Sequence, residues 1–276
     1  MSESLKRLLH SPQGLLGLVI IGLALLLVVF GAWIAPYDPN KISLLARYQA
    51  PSFVHWFGTD NFGRDLFSRV VIGARATILS AVGAMLISTS VGAVIGTTSA
   101  YIGGRIDEAV MRTLDAIMAI PSLLFALLIV STLGQSASNA LIAVAISGIP
   151  SMVRISRSVA LSTRQLDYVS AARARGESST YIIIQEILPN IISPIIVEST
   201  IRVAFAIMLF ATLSFLGLGA QPPSPEWGLM VSSARAYVFQ APWMMYIPGL
   251  AIAAVAIGFN LLGDGLRDAL NPRSRS

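Results

Sequence analysis

Glu198 and Arg202 are the only ionisable side chains within residues 190–215, an otherwise apolar stretch of this 276-residue chain. They stand four positions apart with the acid first, the order that pairs an acid and a base on one helix face. A charge at the centre of an apolar span costs about 2.5–3.5 kcal/mol on insertion scales, so each needs a partner. Two roles suit the pair. It can line a pathway and touch the termini of a charged solute, or it can hold a bundle together as a structural ion pair. Arg112 and Asp115, three apart, are expected to pair at the inner end of a neighbouring span. Other chemistry is scarce. The chain has no cysteine, hence no thiol nucleophile, disulfide or thiolate metal site. His10 and His55 are too few for a histidine metal cluster. The patterns H-E-x-x-H, G-x-S-x-G and G-x-x-x-x-G-K-[ST] do not occur. No catalytic residue, metal or cofactor is therefore expected, and any ATP must be used by another chain.

The elements that position these residues follow from composition. Hydrophobic residues make up 55% and charged residues 12%, about half the charge of a soluble domain. Such a chain has lipid as its solvent. Its net charge of +5 flanks apolar runs and forms no single patch, which argues against nucleic acid. A span needs about 20 apolar residues. Six are expected near 15–35, 77–102, 110–133, 139–160, 190–214 and 244–263, with a tight turn at 135–139. The first is read as an uncleaved helix, since no small-x-small site follows it. The fold class is an all-α integral membrane protein. With the N-terminus inside, the inner segments hold Lys6, Arg7, Arg105, Arg112, Arg154, Arg157, Arg164, Arg173, Arg175, Arg267, Arg273 and Arg275. The outer ones hold Lys41, Arg47, Arg64, Arg69, Arg75 and Arg235, so the basic bias points inward, twelve against six. Residues 1–14 and 265–276 are then cytoplasmic ends, 36–75 and 216–243 external segments, and 160–187 an internal loop.

That loop has a readable plan. Asp167 is placed to cap a short helix over 168–175, Gly176 to stop it in a left-handed turn, and Ser178 or Ser179 to cap the next helix. Ser170, Ala171 and Ala172 are small enough for another surface to approach the backbone. A plain connecting loop is the alternative. Ala171-Ala172, three residues, Gly176 and the later Leu188-Pro189 resemble the EAA loop of binding-protein-dependent ABC importer permeases. Ser170 stands where that family often has Glu, and Glu186 where it often has Ile. His55-Trp56-Phe57-Gly58-Thr59-Asp60 with Gly63-Arg64-Asp65 resembles the peptide/nickel subfamily. So do Phe215–Pro223, the Pro225-Glu226-Trp227-Gly228 run, and Phe259–Asp268 with Asn271-Pro272. The likeness covers nearly the whole chain and is closest to the C-type subunit of dipeptide and oligopeptide importers.

The resemblance implies the type I ABC importer architecture, with residues 76–264 as the permease domain in a prokaryotic inner membrane. It implies a second homologous permease subunit, two ABC ATPase subunits and an external solute-binding protein as partners, besides membrane lipid. Ser170, Ala171, Ala172, Gly176, Leu188 and Pro189 would form the ATPase-coupling loop. Asp60, Arg64, Asp65, Glu226 and Trp227 would dock the binding protein or brace the external segments. Ser88, Gly92, Gly96 and Ala100 form a small-xxx-small packing face, with the partner permease as a candidate neighbour. A secondary transporter acting without an ATPase is the competing reading. It calls for inverted repeats and several buried charges, and the sequence displays neither. An intramembrane enzyme would need converging nucleophile and base residues within the spans. The solute is left open among dipeptide, oligopeptide, glutathione and nickel complex.

Overall fold

The computed structural model describes residues 3–270, with side chains from Arg7 onward. The Lys6 side chain, Asn271-Pro272, Arg273 and Arg275 lie outside the described residues. After the short α1 (Glu3–His10), α2 runs over Pro12–Ile34. Ser11 caps α2 by accepting the Gly14 N–H at 3.2 Å, and Pro12 begins it, where a missing N–H is harmless. Next come α3 (Leu66–Ile102), α4 (Gly104–Met118), α5 (Ser122–Leu133) and α6 (Ala137–Thr163). Short helices α7 (Asp167–Ala174) and α8 (Ser179–Tyr181) lead through a π-helical stretch, Ile182–Ile187, into α9 (Leu188–Phe215). Then α10 (Trp227–Ala234) and α11 (Trp243–Leu270) complete the order. Among the described residues there is no β-strand, only one isolated bridge between Thr59 and Asp65.

Five of the helical stretches are long and apolar enough to cross a membrane: Pro12–Ile34, Leu66–Ile102, Ala137–Thr163, Ser179–Phe215 and Trp243–Leu270. The expected third span is not one helix. It is α4 and α5, bent by 88°. Pro121 has an extended ψ of 134° and disfavours helix at the residue before it. Upstream of the break, α4 carries Asp107, Glu108, Arg112 and Asp115, so it is amphipathic and makes a poor span by itself.

α3 is the central post. It packs along α6 and also meets α9 and α2, burying Ala74, Ile78, Ala81 and Met85 together with Phe210, Ile207 and Met152. The small-residue face of α3 meets α6 of this same chain. A Cβ on Gly92 would lie 2.5 Å from the Met152 Cβ, and one on Gly96 2.4 Å from the Val153 carbonyl oxygen. Ser88 donates to the Ala145 carbonyl at 2.6 Å. The face is therefore used up within the subunit and is not open to a partner. The outward side of α2 is left apolar, with Leu23, Val29 and Trp33 exposed, as a lipid-facing helix requires.

Ionic contacts tie the ends. Asp107 accepts from Arg157 Nε and from the Ser99 hydroxyl, both at 2.6 Å, which locks α4 to α6 and α3. The expected Arg112–Asp115 pair is not formed. Arg112 reaches back one turn to Glu108, Nη2 to Oε1 at 2.6 Å, and Asp115 takes Arg154 of α6. Each finds its partner elsewhere because α6 presents a guanidinium to the Asp115 side of α4.

Candidate functional site

The residues singled out from the sequence fall in three places along the bundle. At one end of α3, residues 35–65 fold back on the start of the helix. Asp60 Oδ1 accepts the Phe62 N–H at 2.8 Å and the Arg64 N–H at 2.9 Å, and Oδ2 accepts Arg64 Nε at 2.6 Å. Asp65 caps α3, accepting the Ser68 N–H at 2.8 Å and its hydroxyl at 2.7 Å. Its other oxygen sits 2.9 Å from His55 Nδ1. Arg69 donates to the Pro39 carbonyl at 2.8 Å and the Ser224 carbonyl at 3.2 Å, joining the two loop segments at this end.

Glu226 is the cap of α10. It accepts the Gly228 N–H at 2.9 Å, the Leu229 N–H at 2.8 Å and the Thr77 hydroxyl at 3.1 Å. Trp227 donates its indole N–H to the Val70 carbonyl at 2.8 Å. Burial pushes the Glu226 carboxyl above the usual carboxylate range, opposed by the Gly228 and Leu229 N–H groups and by the Ser214 and Thr77 hydroxyls. Glu226 is 0% and Trp227 1% exposed, and Asp60 and Asp65 are also buried. In this arrangement those four residues brace the loops against α3. Their polar atoms are taken up by the chain's own backbone, hydroxyls, the Arg64 guanidinium and the His55 ring, and Arg64 is itself half-buried.

The second place is the far end of α3. A helix of 37 residues is about 55 Å long at 1.5 Å per residue, and α7 lies beside its last turn. Arg173 covers the Tyr101 ring at 4.9 Å, and Arg164 donates to the Ala100 carbonyl. Val169 and Ala172 are buried, anchoring α7, whereas Ser170, Ala171 and Gly176 are exposed. Asp167 is the first residue of α7, not its cap. Leu166 holds the cap position without a side-chain bond. Gly176 stops the helix at φ +82°, with its N–H on the Arg173 carbonyl at 2.9 Å. Ser178 caps the next helix through the Tyr181 N–H at 3.2 Å. Leu188 is half-buried and Pro189 exposed. Glu186, out of place for the EAA pattern, lies 3.5 Å from Arg175 and ties the loop across its own turn.

The third place is midway along α9. Glu198 Oε1 stands 3.0 Å from Arg202 Nε, so the predicted pair forms. Arg202 also lines a cavity of about 310 Å³ between α9, α6, α3 and the α4–α5 break. That cavity could not be read from the sequence, because it depends on the bend.

A bundle of long apolar helices, one broken span, a tethered short helix at one end and a braced cap at the other is the architecture of a multi-spanning membrane protein. Residues 88–276 match the family described as "Binding-protein-dependent transport system inner membrane component". Residues 1–51 match the N-terminal TM domain of oligopeptide transport permease C. The chain is 46% identical to the probable D,D-dipeptide transport system permease protein DdpC of Escherichia coli K12, over 96% of this chain and 89% of that protein. It is 42% identical to the dipeptide transport system permease protein DppC of Alkalihalophilus pseudofirmus, over 99% and 90% respectively. The glutathione transport system permease protein GsiD of Escherichia coli O6:K15:H31 is 40% identical over 98% of this chain and 90% of its own length. Among solved structures, an inward-facing MetNI methionine ABC transporter chain matches with a TM-score of 0.52 at 16% identity, covering 70% of this chain and 94% of that one. That likeness shows the type I importer permease fold. The chain belongs to the binding-protein-dependent transport system inner membrane components and is a permease subunit of an ABC importer.

Proposed function

We propose that the subunit forms half of the pathway by which di- or oligopeptides, or a related small carboxylated solute, enter the cell. An external binding protein delivers the solute, a second homologous permease completes the pathway, and two ABC ATPases drive it. The observation that carries this reading is α7. It is a short helix anchored by Val169 and Ala172, stopped by a left-handed Gly176, and exposed at Ser170 and Ala171. A rigid, small-faced lever about 55 Å from the braced end is what an ATPase needs in order to move the bundle. Its contact surface would be Ser170, Ala171 and Gly176, with Ala172 as the inward anchor and Leu188-Pro189 as the return into the membrane.

The α7 end is taken as cytoplasmic, with both termini, because Arg105, Arg164, Arg173 and Arg175 gather there. The braced end then faces the binding protein. Exposed Phe53, Val54 and Trp56 are the surface it offers, held in place by Asp60, Arg64, Asp65, Glu226 and Trp227. Glu198 and Arg202 line the path.

The test is reconstitution in liposomes of this chain with its partner permease, ATPases and binding protein. Dipeptide uptake that requires both ATP and the binding protein is the expected result. Uptake by this chain without any ATPase would overturn the reading in favour of a secondary transporter.

A further inference from the structure

The cavity beside Arg202 carries more than a pathway assignment. Its walls are mainly apolar, with Met85, Phe125, Phe205 and Leu209 among the lining residues. Two features of positive potential meet this apolar space. One is Arg202, midway along a membrane-spanning helix. Its Nε is buried without a hydrogen bond, because the Glu198 carboxylate, though 3.0 Å away, lies off the N–H direction. No other residue is bonded or paired to the guanidinium among the described residues. The other is the start of α5. Pro121 and Ser122 line the same cavity, and the helix begins there without a side-chain cap. Its first N–H groups therefore lack intrahelical acceptors and carry the positive end of the helix dipole.

An ionisable residue at mid-membrane facing a cavity marks a solute site by default. Broken membrane helices aim their exposed N-termini at anionic solute groups. The volume of about 310 Å³ sits at the small end of ligand pockets, which suits a dipeptide-sized solute and excludes a folded chain.

We infer that this cavity is a subsite for the carboxylate of the transported solute, which in a peptide is its C-terminus. Arg202 and the α5 N-terminus hold the carboxylate, and the apolar wall takes the last side chain. Glu198 keeps Arg202 company when the site is empty and is displaced from it when a carboxylate arrives. The inference rests on the peptide-permease reading above.

The test offers the reconstituted importer an equimolar library of dipeptides as free acids and as C-terminal amides, and measures the internalised ratio of acid to amide by mass spectrometry. The binding protein is the same in every sample, so a change of ratio between permease variants arises in the permease. The ratio is also internal to each sample, so a variant that folds poorly lowers both uptakes and leaves it unmoved. Arg202→Gln is expected to lower the acid-to-amide ratio by about tenfold or more, the value of a charge-assisted hydrogen bond. Glu198→Gln is expected to keep or raise it, since it frees the guanidinium. The double variant E198Q/R202Q, which leaves no lone buried charge, is expected to behave like R202Q. A ratio unchanged by R202Q, or lowered equally by E198Q, would overturn the carboxylate subsite and make the pair structural. Failure of the wild-type importer to take up either half of the library would instead overturn the peptide reading itself.

Discussion

Replacing Glu226 by Ala separates a brace from a docking residue. The side chain is fully buried and accepts three hydrogen bonds, from Gly228, Leu229 and Thr77. Truncation leaves two backbone N–H groups and one hydroxyl without their acceptor. At roughly 1 kcal/mol for each bond, with a cavity term for the lost side chain, the cost is about 3–5 kcal/mol. That is at the upper end of single-site effects. At about 2–4 °C per kcal/mol, the melting temperature should fall by roughly 10 °C, followed by tryptophan fluorescence of the purified chain in detergent. Thr77→Val should lose about 1 kcal/mol, and the double variant should lose less than the sum, because the two share a bond. An E226A variant melting within 2 °C of the parent while failing to bind the binding protein would refute the bracing argument and restore Glu226 as a docking residue.

Other expectations follow from the same contacts. Since burial raises the Glu226 carboxyl, its contribution to stability is present below the ordinary carboxylate range and is lost as pH rises through the raised value. The parent should lose stability relative to E226Q as pH rises, because the amide cannot ionise, and parallel melting curves would contradict this. Gly96→Leu places carbon against the Val153 carbonyl, 2.4 Å from the first added atom. It should destabilise by about 1–3 kcal/mol or more, read as lost thermal stability, and an unshifted melt would mean that α3 and α6 are not in contact there. Asp107→Asn weakens the bonds to Arg157 and Ser99 and should cost about 1.5–3 kcal/mol in the same assay. Gly176→Val must adopt φ near +82°, a strain of about 1–2 kcal/mol. It should lower ATP-driven uptake while the melting temperature of the bundle moves by only a few degrees, and full uptake would argue against a rigid lever.

The spans were legible because their signal is collective. Four of the six expected intervals lie wholly inside one helix each, and the first overruns α2 by a single residue. The Ser136 cap of α6, with its 3.1 Å bond to the Asn139 N–H, sits at the expected turn. The third interval failed because a long window without charge masks a break, although Pro121 was in view. α3 starts at Leu66, eleven residues before the expected interval does. Charge counting stops at Arg75, while the real signal was the cap, Asp65 followed by Ser68. The sequence leaves Glu226 and Trp227 open between docking and bracing, because it carries no burial. The cue lay in an acid between a proline and a Gly-Leu pair, the pattern of an N-cap. The ion pairs of Asp107 and Asp115 join residues about 40–50 apart, beyond any local rule.

The central claim, that an ATPase drives this subunit through α7, can be read most directly by cross-linking. The chain has no cysteine, so Ala171→Cys and Phe53→Cys each carry a unique handle for a photoactivatable maleimide in native membranes. Phe53 is fully exposed at the braced end and serves as the opposite pole. A171C is expected to join a subunit whose sequenced peptides include a P-loop, and F53C is expected never to do so. An ATPase adduct on F53C, or none on A171C in an importer that still transports, would contradict it.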